Sequence, residues 1–152
     1  AGVALSHDTG GPVVDTRLMT SLEGVFACGN VLHVHDLVDW ACEEAQRCGD
    51  AVADYLAGTT PALAQGRVHA GANVKYVVPQ AYTPGIENRF SFRPMILRDR
   101  ADLIIRREGA EIKRRKVRHI KPAEMMHYTL DPEELPETGD TKLLPAIEIA
   151  IE

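Results

Sequence analysis

Apolar and polar positions along this chain fall into two textures. Val38, Ala41, Ala45, Cys48, Val52 and Tyr55 recur at steps of three and four, which is the stripe of an amphipathic helix. Glu43, Glu44, Gln46, Arg47, Asp50 and Asp54 fall mainly on the opposite side. Asp36 and Asp39 suit the positive end of the helix dipole, and Gly58 stands where a C-terminal cap belongs. Just upstream, Gly24-Val25-Phe26-Ala27-Cys28-Gly29 is a short apolar run bounded by glycines. Such a run predicts a strand buried on both faces. Earlier still, Gly10-Gly11 followed by Pro12-Val13-Val14-Asp15 reads as a turn entering an extended segment.

From Val74 the period changes to that of strands. Val74 to Val78, Phe90 to Arg93 and Leu103 to Arg106 are short β-rich runs separated by Pro, Gly, Asp or Asn. Arg106 to Glu111 reads as a hairpin turn, with further strands over Glu111 to Ile120 and Met125 to Leu130. In the segment Lys142 to Glu152, Ile147, Ile149 and Ile151 alternate with Glu148, Ala150 and Glu152, predicting a last strand. About six strands at this spacing suggest a small all-β sandwich of the immunoglobulin-like kind. Residues 59–73, rich in Gly, Ala, Thr and Pro, read as a linker between an α/β segment at 1–58 and the β-domain at 74–152.

Charge follows the same division. Residues 1–70 carry three Lys and Arg against nine Asp and Glu, a balance of −6, whereas residues 71–152 carry fourteen against thirteen, or +1. Neither part is basic enough for nucleic acid to be a main partner. No run approaches the roughly 18 apolar residues of a membrane span. Ala1 to Leu5 has no basic region or long apolar core, so it is not a signal peptide and reads as a cut within a domain. The three cysteines, Cys28, Cys42 and Cys48, show no paired spacing. They suit a reducing, cytoplasmic setting as small apolar residues.

The candidate chemistry lies where the predicted strand gives way to the helix. Gly29 lets a backbone or ligand approach closely, Asn30 can donate and accept hydrogen bonds, and the first N–H groups of the helix favour an electron-rich atom. Thr20 to Val31 (Thr-Ser-Leu-Glu-Gly-Val-Phe-Ala-Cys-Gly-Asn-Val) resembles the second FAD motif of the pyridine nucleotide–disulfide oxidoreductases. Gly29 to Asp39, Gly10 to Asp15 and Pro122 to Met125 are similar to a subgroup of FAD-dependent oxidoreductases found alongside glycerol-3-phosphate dehydrogenases.

That resemblance implies the end of a Rossmann-like FAD-binding domain: strand, turn, long helix. It implies FAD as cofactor, NAD(P)H as co-substrate, and as partners the rest of the protein's own FAD and NAD(P) domains and a dehydrogenase subunit. Gly29, Asn30 and Val31 would lie along the ribitol and adjacent phosphate, and Asp36, Leu37 and Val38 against the flavin. Asn30 replaces the family's acidic residue and Glu23 its usual Pro. The Gly-x-Gly-x-x-Gly loops and the redox cysteine pair are absent, so the chain by itself is expected neither to hold FAD tightly nor to turn over, and no residue in it is assigned a catalytic role. Its incomplete α/β face would favour self-association.

Other features have plainer readings. His33 and His35 with Asp36 show a His-x-His pattern that occurs in metal sites, but a loop fixes the spacing poorly and no second ligand cluster is in view. They read as loop histidines near a cofactor or in solvent, and Trp40 as a packing residue. Lys113 to His119 reads as an edge strand guarded by charge, with docking of an acidic partner as the alternative. Asp131 to Asp140 reads as an exposed acidic loop. A second reading of the whole chain is a non-catalytic interaction module whose β-domain docks a partner subunit. An upstream reading frame carrying Gly-x-Gly-x-x-Gly separates the two.

Overall fold

The computed structural model describes residues 2–59, 65–136 and 144–152. It is a mixed α/β chain with one long helix and two sheets. Helix α1 spans Val38–Leu56 and the strands are β1 Gly66–Ala70, β2 Val74–Val78, β3 Ala81–Tyr82, β4 Asn88–Pro94, β5 Arg98–Arg107, β6 Ala110–Ile120, β7 Met126–Leu130 and β8 Ile147–Ile151. One sheet has the order β3-β1-β8-β5-β6, with β1 and β8 parallel and the other pairs antiparallel. The second is the antiparallel set β2-β4-β7.

Both sheets contribute to one core. Phe90, Phe92, Leu103, Ile105, Leu130, Ile147, Ile149 and Ile151 are buried in it, beside Val74 and Val77 of β2. A bulge between Val74 and Val77 lets both side chains reach that core despite their odd spacing. The β5–β6 hairpin turns at Glu108-Gly109, as the sequence indicates. β6 lies at the sheet edge with most of its basic residues exposed, in keeping with a charge-guarded edge. The predicted final strand is present at Ile147–Ile151, although Ala150 is buried as well as the isoleucines, and residues 142 and 143 lie outside the described residues. Within the acidic stretch, Leu135 is buried and Glu134 pairs with Lys113; residues 137–140 lie outside the described residues.

Three expectations need correction. Gly66–Ala70, read as linker, is strand β1, held between β3 and β8. Its Gly66 has a specific cause: a Cβ there would lie 2.1 Å from the Tyr82 ring. Gly24 to Gly29 is not a regular strand. Residues 2–28 form only isolated bridges, Leu5 with Pro12, Val14 with Thr20 and Met19 with Phe26. Left-handed turns at Leu18 (φ 64°) and Gly24 (φ 75°) reverse the chain before a ladder can extend. Finally, the helix is rotated from the predicted face. Glu44, Cys48 and Ala51 are buried, while Val38 is 74% exposed and Ala45 is also exposed.

The N-terminal loops and α1 have a small core of Val14, Leu18, Ala27, Leu32 and Cys48, completed by Tyr76 and Val78 of β2. β2 therefore serves two cores, one on each face. Polar contacts reinforce the junction. Gln80 accepts the Val14 N–H and donates its own backbone N–H to the Val14 carbonyl. Fully buried Asn88 accepts from the Thr16 hydroxyl and the Thr83 N–H at 2.8 Å each, and its amide donates to the Thr83 and Ile86 carbonyls. No helix among the described residues is long and apolar enough to cross a membrane.

Candidate functional site at the loop–helix–sheet junction

The loop between residue 29 and the start of α1 is fixed from three directions. First, Gly11 packs under it so closely that a Cβ would lie 2.3 Å from the Val31 carbonyl oxygen and 2.5 Å from that of Leu32. Second, Arg93 of β4 reaches across from the sheet. Its Nη2 donates to Asp36 Oδ1 at 2.7 Å and to the Val34 carbonyl at 3.0 Å. Its Nη1 donates to the carbonyls of Ala123 (2.9 Å) and Pro122 (3.2 Å), and its Nε to the Tyr76 hydroxyl (3.2 Å). The Met125 N–H donates to the other Asp36 oxygen. Burial pushes the Asp36 carboxyl up, but the bonds from Arg93 and Met125 outweigh it and hold the pKa below its ordinary value.

Third, the loop's histidines turn inward onto α1. His33 Nε2 lies 3.1 Å from Glu44 Oε2, and His35 Nε2 lies 3.5 Å from Glu44 Oε1. The Gly29 N–H donates to the same Oε1 at 2.7 Å. Glu44 is 5% exposed, and both imidazoles are almost wholly covered. The two rings stand 4.5 Å apart, with Tyr76 edge-on to His33. Burial pushes the Glu44 carboxyl up, yet the His33 and Gly29 hydrogen bonds prevail and its pKa is lowered, so the group stays ionised. Burial lowers the His35 pKa against the pull of Glu44.

A second polar cluster joins α1 to β4 and β7. Glu43 pairs with Arg89 through both guanidinium nitrogens, with Nη2 to Oε2 at 2.7 Å, and Arg89 lies over the Trp40 ring. Trp40 packs at 4.2 Å on His127, whose Nδ1 is 3.0 Å from the Ser91 hydroxyl. Burial, then the Arg89 charge, pushes the His127 imidazole down to about 4. A cavity of about 10 Å³ lies among His35, Trp40, Glu44, Arg89, Ser91 and His127.

The residues singled out in the sequence are distributed as follows. Gly29 opens a single 3-10 turn over Gly29–Val31, has φ 74°, and has open space where a Cβ would stand. Asn30 is exposed, its Oδ1 accepting the His35 N–H at 3.1 Å. Val31, Leu37 and Val38 are 59%, 57% and 74% exposed, with Val34 at 66% between them. Leu37 is the N-cap of α1 and offers no side-chain cap, so the first helical N–H groups are not met by one. Asp36 is committed to Arg93 and Met125. Trp40 is a packing residue, as read. His33 and His35 are not solvent-facing loop residues: they are buried against Glu44. Cys48 is buried and its thiol is pushed up to about 11 by burial and the neighbouring Cys28, whereas Cys42 is exposed rather than packed. Sequence reading missed Glu44, Arg89, Arg93 and His127, whose roles depend on hydrogen bonds across 11 to 59 residues of chain.

Fold and site together describe a mixed α/β chain in which a loop–helix unit is tied to the β-sheets by partly covered ion pairs. Comparison with protein-family models, curated proteins and solved structures finds no match to this chain.

Proposed function

We propose that this chain is the C-terminal part of an FAD-dependent NAD(P)H oxidoreductase and supplies the ribitol- and flavin-side wall of its FAD site. One observation carries the reading. The three segments that resemble the same oxidoreductase subgroup, residues 10–15, 29–39 and 122–125, are far apart in sequence and meet at one place. Gly11 packs on Val31 and Leu32, while Arg93 and Asp36 tie the loop to Pro122, Ala123 and Met125.

The exposed residues fit the group in part. The Asn30 side chain, the apolar Val31, Leu37 and Val38, and the uncapped helix start are open to a neighbour. The Gly29 N–H is already used by Glu44, and Asp36 is a positioning residue rather than a ligand. FAD, when bound, supplies the hydride chemistry between NAD(P)H and an acceptor. This chain's share is to hold the ribitol through Asn30, to cover one apolar surface, and to aim the positive end of α1 at developing negative charge. We read the two sheets over their shared core as a small sandwich, immunoglobulin-like, that braces this loop. A dehydrogenase subunit is the partner class and the cytoplasm the compartment that go with the reading.

The visible absorption spectrum of the protein purified from its native reading frame tests it. Flavin bands that weaken in Asn30→Ala are expected, and the 152-residue chain alone should retain no stoichiometric flavin. A colourless native protein sinks the proposal.

A further inference from the structure

We propose that His33, His35 and Glu44 form a binding site for a divalent transition-metal ion of the zinc class, independent of the flavin reading. Their ligand atoms all lie within 4.8 Å of one another. Two imidazoles and one carboxylate are a donor set suited to zinc and its neighbours. His33 Nε2 lies 3.1 Å from Oε2 and His35 Nε2 3.5 Å from Oε1, so the two nitrogens approach different oxygens of the one carboxylate. Bonds of about 2.0–2.2 Å put neighbouring ligand atoms of one ion about 3.3–3.6 Å apart, a spacing that small side-chain rotations reach from here.

The competing arrangement is a plain hydrogen-bonded His–Glu–His cluster. Nδ1 of both rings is buried with no hydrogen-bond partner whether or not an ion sits at Nε2, so it does not separate the two arrangements. What separates the two is the charge of Glu44: its carboxylate is buried against two imidazoles, and a cation at their Nε2 atoms would balance it.

The elements suit the task. His33 and His35 come from one loop pinned by Gly11 and Arg93, and Glu44 comes from the second turn of α1. The ion would fasten the loop to the helix. The small cavity beside His35 and Glu44 leaves space on one side of the set.

Calorimetric titration of the chelator-treated chain with Zn²⁺ tests the site. One saturable equivalent is expected. Glu44→Gln keeps an acceptor for the Gly29 N–H but removes the anionic ligand, and His35→Gln removes one imidazole. Each should weaken binding by about 100-fold or more, while Cys42→Ser leaves it unchanged. If either ligand variant fails to fold, as judged by circular dichroism, imidazole ¹⁵N resonances of the unaltered chain decide. One equivalent of Zn²⁺ should move those of both His33 and His35. No saturable binding, full affinity in a folded Glu44→Gln, loss of binding in Cys42→Ser, or unmoved His33 and His35 resonances overturns the proposal.

Discussion

The two parts of the molecule are stabilised in different ways. Residues 65–136 and 144–152 carry ladders of up to nine paired residues, and the core side chains of their strands are removed from water almost completely. Residues 2–58 have a single helix, isolated bridges in place of strands, and a small core that needs Tyr76 and Val78 from the other part. Eight of their larger apolar side chains, among them Leu5, Val31, Val34, Leu37, Val38 and Leu56, are more than a third exposed. A sheet that satisfies its own backbone and buries its own apolar face can stand alone. The N-terminal part instead gains order from what it docks on, and its apolar rim is where further protein or a ligand would add to it. Perturbing the dock should separate the two parts.

The largest separation should come from Gly11→Ala. The new methyl would meet backbone atoms of Val31 and Leu32 at 2.3 to 2.8 Å, and backbone cannot move aside as a flexible side chain can. Overpacking of this kind costs about 1–3 kcal/mol, and here we expect about 3 kcal/mol. Hydrogen exchange read by segment should show loss of protection in α1 and the loop before it, with β4, β5 and β8 unchanged. Equal loss in both parts would mean that the molecule folds as one unit and that the contrast is false.

Arg93→Ala should act in the same direction with a smaller effect. The guanidinium makes five hydrogen bonds, to Asp36, Val34, Pro122, Ala123 and Tyr76. Removing it leaves the partly covered Asp36 carboxylate with only the Met125 N–H. Charge-assisted bonds of this kind contribute about 1.5–3 kcal/mol, and we expect a loss of about 2 kcal/mol. Arg93→Lys should recover only a fraction, because one ammonium cannot span the carboxylate, the carbonyls and the tyrosine together. Full recovery by lysine would show that charge alone holds the loop.

How far these features were legible depends on the range of the contacts behind them. Val74 to Val78 and Ile147 to Ile151 were readable as strands because β-branched residues at short spacing carry their own signal. The long helix was readable from its period. Its orientation was not. Glu44 sits at a position that the apolar stripe assigns to solvent, and it is buried because His33, His35 and the Gly29 N–H meet it there. Nothing periodic announces that. Gly66 to Ala70 offers only Gly66 and Val68 as buried positions beside exposed Arg67, His69 and Ala70, so the flanking strands β3 and β8 make it a strand. The glycine-bounded run at 24–29 failed in the opposite sense. Its composition suits a strand, but the described chain places no ladder beside it and turns it back at Leu18 and Gly24. At the site, the three resembling segments could be read singly, but their convergence through Arg93 could not.

The smallest expected effect is a pH dependence at the second cluster, and its sign follows from His127. In the folded chain its imidazole titrates near 4, against an ordinary value of 6.5, because burial and then the Arg89 charge disfavour its protonation. Arg89 and Ser91 face it from β4, Glu43 and Trp40 from α1, and the charges of His33 and His35 act from the loop. Glu43 pulls the other way but is neutralised by Arg89. Above pH 6.5 both the folded and the unfolded chain hold the ring neutral, so the stabilising effect is fully present. As pH falls from 6.5 towards 4, the unfolded chain takes up a proton that the folded chain refuses, and stability declines; below about 4 the loss levels off. Screening at this incompletely buried ring limits the change to about 1 kcal/mol. His127→Gln should flatten the slope measured by denaturant unfolding between pH 7 and pH 5. Because His127 lies in β7 and Trp40 in α1, the decline should appear first as exchange in the helix. A slope that survives His127→Gln would place the titrating group elsewhere, and one that appears equally in the β core would join the two parts that the contrast keeps separate.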